Sequence, residues 1–374
     1  MRDTEPCSAS GRGWGAWPRF TVLGAALFLA GPASTGAQTV RGVLRDGSTG
    51  EAISAALVHL EYPDGERVGS VLTDPGGRFT FRPGVPGRFK LVAQHIGHAT
   101  VTTDPFDLGI GATRSLELTA GPSPIRIRGV TANPDRLCRT LDEDDAEIVG
   151  GFWEEASKAL EAARWTAEEA GLSYEVTHFT RTRDPDSFEI RDEASQTRTG
   201  TGANPFHSLR AEVLAEEGYV QGDDASGRDY FAPDADVLLS PTFVNTHCFR
   251  LSHLSDEADS IGIEFEPSVE GDVPDIEGAA WLDGASLKLR RIEFRYTRLD
   301  IGVSTDELGG EVSFEELVTG AWIVGEWAIR MPQIYQYRMR SRRLHRDLIG
   351  IREVGGVVST VTDPEGRSLR VETR

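Results

Sequence analysis

Positive charge is scarce in this chain: 39 Lys+Arg against 59 Asp+Glu leave a formal charge of −20 over 374 residues. A charge of this sign argues against general nucleic-acid binding, which needs a basic face to displace phosphate counterions. Lysine is scarcer still, standing only at positions 90, 158 and 288. Long apolar runs are also lacking. The one candidate, "FTVLGAALFLAG" (20–31), follows Arg2, Arg12 and Arg19 and precedes the small residues "PASTGAQ". It is about a dozen residues long, short of the roughly 20 that a spanning helix needs, and reads as an export signal. Residues 1–37 are thus expected to be a signal peptide cleaved after Ala37, with an uncleaved anchor as the alternative. No transmembrane helix is expected in the mature chain. The expected address is the periplasm or outer-membrane periphery of a bacterium. Of three cysteines, Cys7 precedes the apolar run, so no lipoprotein signal is present, and it leaves with the leader. Cys138 and Cys248 remain, and the exported address favours a disulfide between them over two buried thiols.

What is present begins with short alternating runs over residues 39–119. "VRGVLRD" leads into the turn "GSTGEAI", Tyr62-Pro63-Asp64-Gly65 is a second turn, and "DPGG" (74–77) is a third. "RFTFR" sets Phe79 and Phe81 against Arg78, Thr80 and Arg82, and the next run sets Phe89, Leu91 and Ala93 against Lys90, Val92 and Gln94. Such strands and turns predict an antiparallel β-sandwich over 38–120. The order "GVLRDGSTGEAISAALVHL", "TDPGGRFTF", "VPGRFKLVAQHIGH" resembles the carboxypeptidase regulatory-like domain, a transthyretin-like sandwich of the carbohydrate-binding-like fold. The resemblance implies an accessory module, found beside carboxypeptidases and in envelope proteins.

The zinc carboxypeptidase domain itself is absent. None of His59, His95, His98, His178, His207, His247, His253 and His345 has Glu three residues on, so the His-x-x-Glu needed to seat zinc is missing. "HIGH" (95–98) spells the ATP-binding signature of class I aminoacyl-tRNA synthetases but lies in a β run, not at a helix start in a nucleotide-binding domain. Residues three apart on a strand point to opposite faces, so His95 and His98 read as strand-end residues flanking a glycine bulge, converging only if Gly97 breaks the strand. No metal site and no cofactor are expected. Sugar stacking lacks its usual platform, since this segment has no Trp and only Tyr62.

A linker is expected over 121–142, with Ile125, Ile127 and Val130 able to add a strand, then an α+β domain over 143–374. A helix at 145–170 places Val149, Phe152, Trp153, Ala156, Ala159, Leu160 and Ala163 inward and Glu154, Glu155, Lys158 and Glu161 outward. A polar stretch, 183–203, reads as mobile. A β meander follows, with turns at Asp283-Gly284-Ala285 and Thr319-Gly320. "WLD…SLKLRRIEFRY" bears some resemblance to lipoprotein-carrier half-barrels, which implies a curved sheet packed on the helix and an apolar groove, lined here by a subset of Trp281, Phe294, Trp322 and Trp327. Cys248 beside His247 suggests a thiol nucleophile only weakly, because strand neighbours face apart. Asp234 and Asp236 lack the spacing of a calcium loop and read as solvated surface. The basic island 338–347 reads as arginines pairing with acidic strands, with anionic lipid heads as the alternative.

The reading is a mainly β, exported envelope protein without enzymatic activity: an accessory sandwich plus a scaffold or apolar-ligand binder, whose partners would be envelope proteins, lipid or glycan. The alternatives are a carbohydrate-binding module and an envelope hydrolase with an unrecognised site.

Overall fold

The computed structural model describes residues 38–123, 143–201, 208–223, 227–253, 260–268, 272–299, 307–338 and 344–369. The expected leader, Cys138 and most of the expected linker, with Ile125, Ile127 and Val130, lie outside the described residues. Among those described, no helix is long and apolar enough to cross a membrane.

The first part contains β1 (Thr39–Asp46), β2 (Leu57–Glu61), β3 (Arg67–Leu72), β4 (Arg78–Phe81), β5 (Gly87–Gln94), β6 (Val101–Thr102), β7 (Phe106–Leu108) and β8 (Thr113–Ala120). β4-β1-β8 form one layer and β3-β2-β5-β6, with β7 also on β5, the other. The alternation of β4 and β5 holds as the sequence predicts: Phe79, Phe81, Phe89, Leu91 and Ala93 are buried with Val40, Leu44, Val58 and Leu60 in one core. One pairing differs from the all-antiparallel expectation. β8 lies parallel to β1 over its whole length, Thr39 opposite Thr113 through Asp46 opposite Ala120. Turns close on their own carboxylates: Asp74 accepts from the Gly76 and Arg78 N–H groups, and Asp46 from those of Ser48 and Thr49.

The second part opens with α1 (Glu143–Glu169), then β9 (Ser173–Arg183) and β10 (Ile190–Thr201). After α2 (Ala211–Glu217) come the ribbon β11 (Val220–Asp223) and β12 (Gly227–Tyr230), α3 (Ala235–Leu238) and α4 (Pro241–Thr246). The strands β13 (His247–His253), β14 (Ser260–Pro267), β15 (Asp275–Asp283), β16 (Leu289–Thr297), β17 (Gly309–Glu316), β18 (Trp322–Arg338), β19 (Leu344–Thr362) and β20 (Ser368–Leu369) complete it. One open ten-stranded sheet runs β10-β9-β19-β18-β17-β16-β15-β14-β13, with β20 on β19. The stretch expected to be mobile is largely β10, an edge strand held along β9 from Ser173 opposite Thr201 to Arg183 opposite Ile190. Backbone pairing overrode its polar composition. Asp234 is the N-cap of α3, accepting from Val237 N–H, and Asp236 pairs with Arg164 at 2.9 Å, so both have structural work.

The two faces of the sheet differ. On the α1 side, Ile263, Phe265, Ala280, Ile292, Phe294, Val312 and Trp327 join Phe152, Ala156, Ala159 and Leu160 in the second core. On the other side, direct cross-strand partners run Glu277, Arg295, Gly309, Arg330, Glu353, Arg181, Glu193 across seven strands, a row of alternating charge broken once by glycine. Glu353 is buried between Arg183 at 2.8 Å and Arg181 at 3.3 Å, and their hydrogen bonds hold its carboxyl below the usual range although its burial acts the other way. Such opposed pairs stabilise neighbouring strands and keep this face polar.

Candidate functional site

Residues 94–98 end β5 in a tight turn: His98 N–H donates to the His95 carbonyl, with Gly97 at φ +78. Gly97 breaks the strand, the condition under which the sequence allows the two histidines to converge, and they do. Their rings meet edge-on with Nδ1 atoms 3.0 Å apart, and His98 Nε2 lies 2.9 Å from Asp46 Oδ2. Among the described residues, no group of three or more His, Cys, Asp or Glu is arranged to hold a metal ion.

The turn is pressed against α1. Gly97 N–H donates to Glu155 Oε2 at 2.7 Å, Lys158 Nζ donates to the His98 carbonyl at 2.8 Å, and Lys158 and Glu155 bond each other at 2.8 Å. The Glu155 and Lys158 side chains are 1% and 4% exposed. Ile96, between the histidines, is 7% exposed and belongs to the second core rather than the sandwich's own. Thr100 donates to Glu154 at 2.9 Å and Arg67 to Glu161 at 2.7 Å, extending the contact along the helix. The sheet's turns help: Ser286 O is 3.6 Å from where a Gly97 Cβ would sit, and Gly320 approaches Ala55 so closely that a Cβ there would stand 2.9 Å from the alanine methyl. The helix face expected to meet water is therefore a second packed face, polar where the first is apolar.

The histidines beneath this contact are held neutral. His59 is fully buried, with Nδ1 2.7 Å from Ser70 Oγ. Burial pushes it down to about 4, outweighing the nearby Glu161 carboxylate. Burial, and secondarily His98, push His95 down to about 4 as well. Hydrogen bonds from the Ser48 hydroxyl and Thr49 N–H, then His98, hold Asp46 well below the carboxylate range.

The four aromatics expected to line a groove are 4–5% exposed and do not share one surface. Phe294 lies between Gly278 and Gly310, and Trp327 over Gly356, both on the α1 side. Trp322 is in the same core. Trp281 covers Gly262 on the opposite face, with the Arg291 guanidinium 5.6 Å from its ring centroid. Trp281, Phe294 and Trp327 fill the slots left by Gly262, Gly310 and Gly356, so these three rings are used in packing. A cavity of about 150 Å³ lies instead at the β13 end of the sheet, walled by His247, Asp275 and Arg298 among others and by none of those four. Sequence reasoning passed over it because His247 was weighed only against Cys248.

No curated protein matches the chain. Among solved structures, a 3-chlorocatechol 1,2-dioxygenase from Rhodococcus opacus is similar at 14% identity, over 24% of this chain and 62% of that one, with TM-score 0.17. A DUF3823 family protein from Bacteroides uniformis is similar at 12% identity over 70% of this chain and 97% of that one, TM-score 0.20. A LolA superfamily protein from Nitrosomonas europaea is similar at 13% identity over 59% and 94%, TM-score 0.24. The chain spans less than two thirds of the dioxygenase's length. At these scores none of the three bears on the function proposed below. A family match covers the first part alone: residues 39–121 match the carboxypeptidase regulatory-like domain, so the sandwich that grips α1 is a domain of that kind.

Proposed function

We propose that this chain is an exported bacterial envelope protein without enzymatic activity, in which the regulatory-like sandwich is an accessory module locked onto a β-sheet scaffold. The supporting observation is the contact of residues 94–98 with α1. Two main-chain hydrogen bonds tie the turn to the Glu155–Lys158 pair of α1 and Ile96 is buried in the sheet core, so freeing the module would expose that apolar surface and leave both charges without their partners in the turn, unlike a module that swings freely on a linker. The scaffold reading is preferred to the apolar-ligand reading because the aromatics that would line a groove are used as packing and the other sheet face is charged. Export is supported by the leader-like segment before Gln38. To test it, the full chain is expressed in a bacterial host, fractionated, and its N-terminus sequenced, and the purified protein is assayed against peptide, ester and glycoside substrates. A mature chain starting near Gln38 outside the cytoplasm, with no turnover, is expected. Cytoplasmic retention with an intact leader, or turnover of any of these, overturns the proposal.

The exported address carries a second expectation. A bond between Cys248, on β13, and Cys138 would close a loop of about 110 residues, for which chain entropy allows at most about 4–5 kcal/mol. Reduction is expected to lower the melting temperature by several degrees. Two thiols titrating in the natively exported protein would show that the bond does not form.

A further inference from the structure

The two edges of the ten-stranded sheet are unlike. β13 is seven residues long and runs straight on from α4. β10 is twelve residues long, and every one of them is exposed. Among the described residues no strand pairs with its outer edge, so a row of main-chain N–H and C=O groups faces outward there. Such an edge is usually guarded by proline, by lysine, by shortness or by bulges. β10 has neither proline nor lysine, and its one irregularity, at Arg191, leaves residues 192–201 in unbroken register with β9.

The two faces of β10 differ as well. On one, Glu193 accepts from Arg181 at 2.8 Å and the Thr197 and Thr177 hydroxyls bond at 2.9 Å, so these groups are used within the sheet. On the other, Asp192 and Arg198 form no ion pair among the described residues, and Arg198 donates to Gln196 at 3.0 Å. Asp192 and Arg198 stand six residues apart in regular strand, so both point to the same side of the sheet. Their signs are self-complementary. A twofold axis normal to the sheet pairs two copies of β10 antiparallel and sets residues of like parity opposite each other. Centred on Ser195, it puts Asp192 opposite Arg198 twice, Glu193 opposite Thr197 and Ala194 opposite Gln196, with no like charges facing. Centred one residue earlier or later, it puts Arg198 opposite Ile190 or Ala194 and forms no ion pair. Opposite charges directly across an antiparallel pair stabilise it, so the sequence favours the register centred on Ser195.

We infer that the outer edge of β10 docks a second copy of this chain, the two strands pairing about a twofold axis at Ser195 so that one sheet runs through both copies. This goes beyond the scaffold role and does not depend on it. Sedimentation equilibrium of the purified full chain over a range of concentrations tests it, and a monomer–dimer equilibrium is expected. Asp192→Arg and Arg198→Asp each turn two attractive pairs into two repulsive ones and should weaken the dimer by about tenfold. Both positions are exposed, so neither change disturbs the core. Mixed in equal amounts, the two variants should regain the wild-type affinity as a heterodimer, because each then meets charge of the opposite sign. A wild type that stays monomeric up to about 100 μM, a dimer that neither substitution weakens, or no recovery on mixing would each overturn the inference.

Discussion

Glu155→Ala lowers the stability of the folded chain by about 3–5 kcal/mol, the range for removing one partner of a buried ion pair. The substitution strips the Lys158 ammonium of its closest charged partner and leaves Gly97 N–H without an acceptor at the bottom of the contact. Glu154, 3.4 Å from Lys158 Nζ, is too exposed to replace it. Glu155→Gln keeps an acceptor for Gly97 and loses only the charge, so its cost is smaller. The double variant Glu155→Met, Lys158→Leu removes both charges and should recover much of the loss, because well-packed apolar replacements of buried pairs are often neutral. Urea denaturation of the three variants checks the ordering. A Glu155→Ala cost below about 1 kcal/mol would mean the pair is solvated, as an ordinary surface pair is.

Acidification between pH 6.5 and 4 should destabilise the protein through its buried histidines. His59 and His95 have ordinary values near 6.5 and are held at about 4 in the folded chain. Between those limits the unfolded chain binds protons that the folded chain refuses. Their contribution to stability is complete above pH 6.5 and is lost progressively down to pH 4. For fully buried His59 this is about 3 kcal/mol, and for the partly exposed His95 it is less. His59→Gln should remove about one proton from the slope of stability against pH in this window. Glu315 and Glu326, whose carboxyls burial raises, act in the opposite sense, so the comparison with wild type carries the test. An unchanged slope in His59→Gln, or a His59 ring titrating near 6.5 by NMR, contradicts it.

The sandwich was legible because its signals are local: Phe79 and Phe81 alternate within β4, and Asp74 with Gly76-Gly77 closes a turn on itself. The apolar stripe of α1 was legible for the same reason. Its other face was not, because Glu155 and Lys158, three apart on a helix, read as a solvated pair until a segment some 60 residues earlier is laid over them. "HIGH" drew notice for a nucleotide chemistry its context excludes, yet its residues do carry the main contact, with Ile96 as plug and Gly97 as turn. The groove expectation for Trp281, Phe294 and Trp327 leaves out the strand glycines that their rings cover, although Gly262, Gly310 and Gly356 stand in plain view in the sequence. β10 shows the converse, a polar segment ordered by an edge that only the assembled sheet provides.

The claim that the sandwich is locked to the sheet domain is tested most directly by native-state hydrogen exchange at the Gly97 amide. In this account that amide is donated to a buried carboxylate, so it should exchange only through opening nearly as costly as global unfolding, and Glu155→Ala should release it while the β5 amides stay protected. Exchange of Gly97 in the wild type at the rate of an open turn, with β5 still protected, would show that the two parts separate freely and that the contact is not a lock.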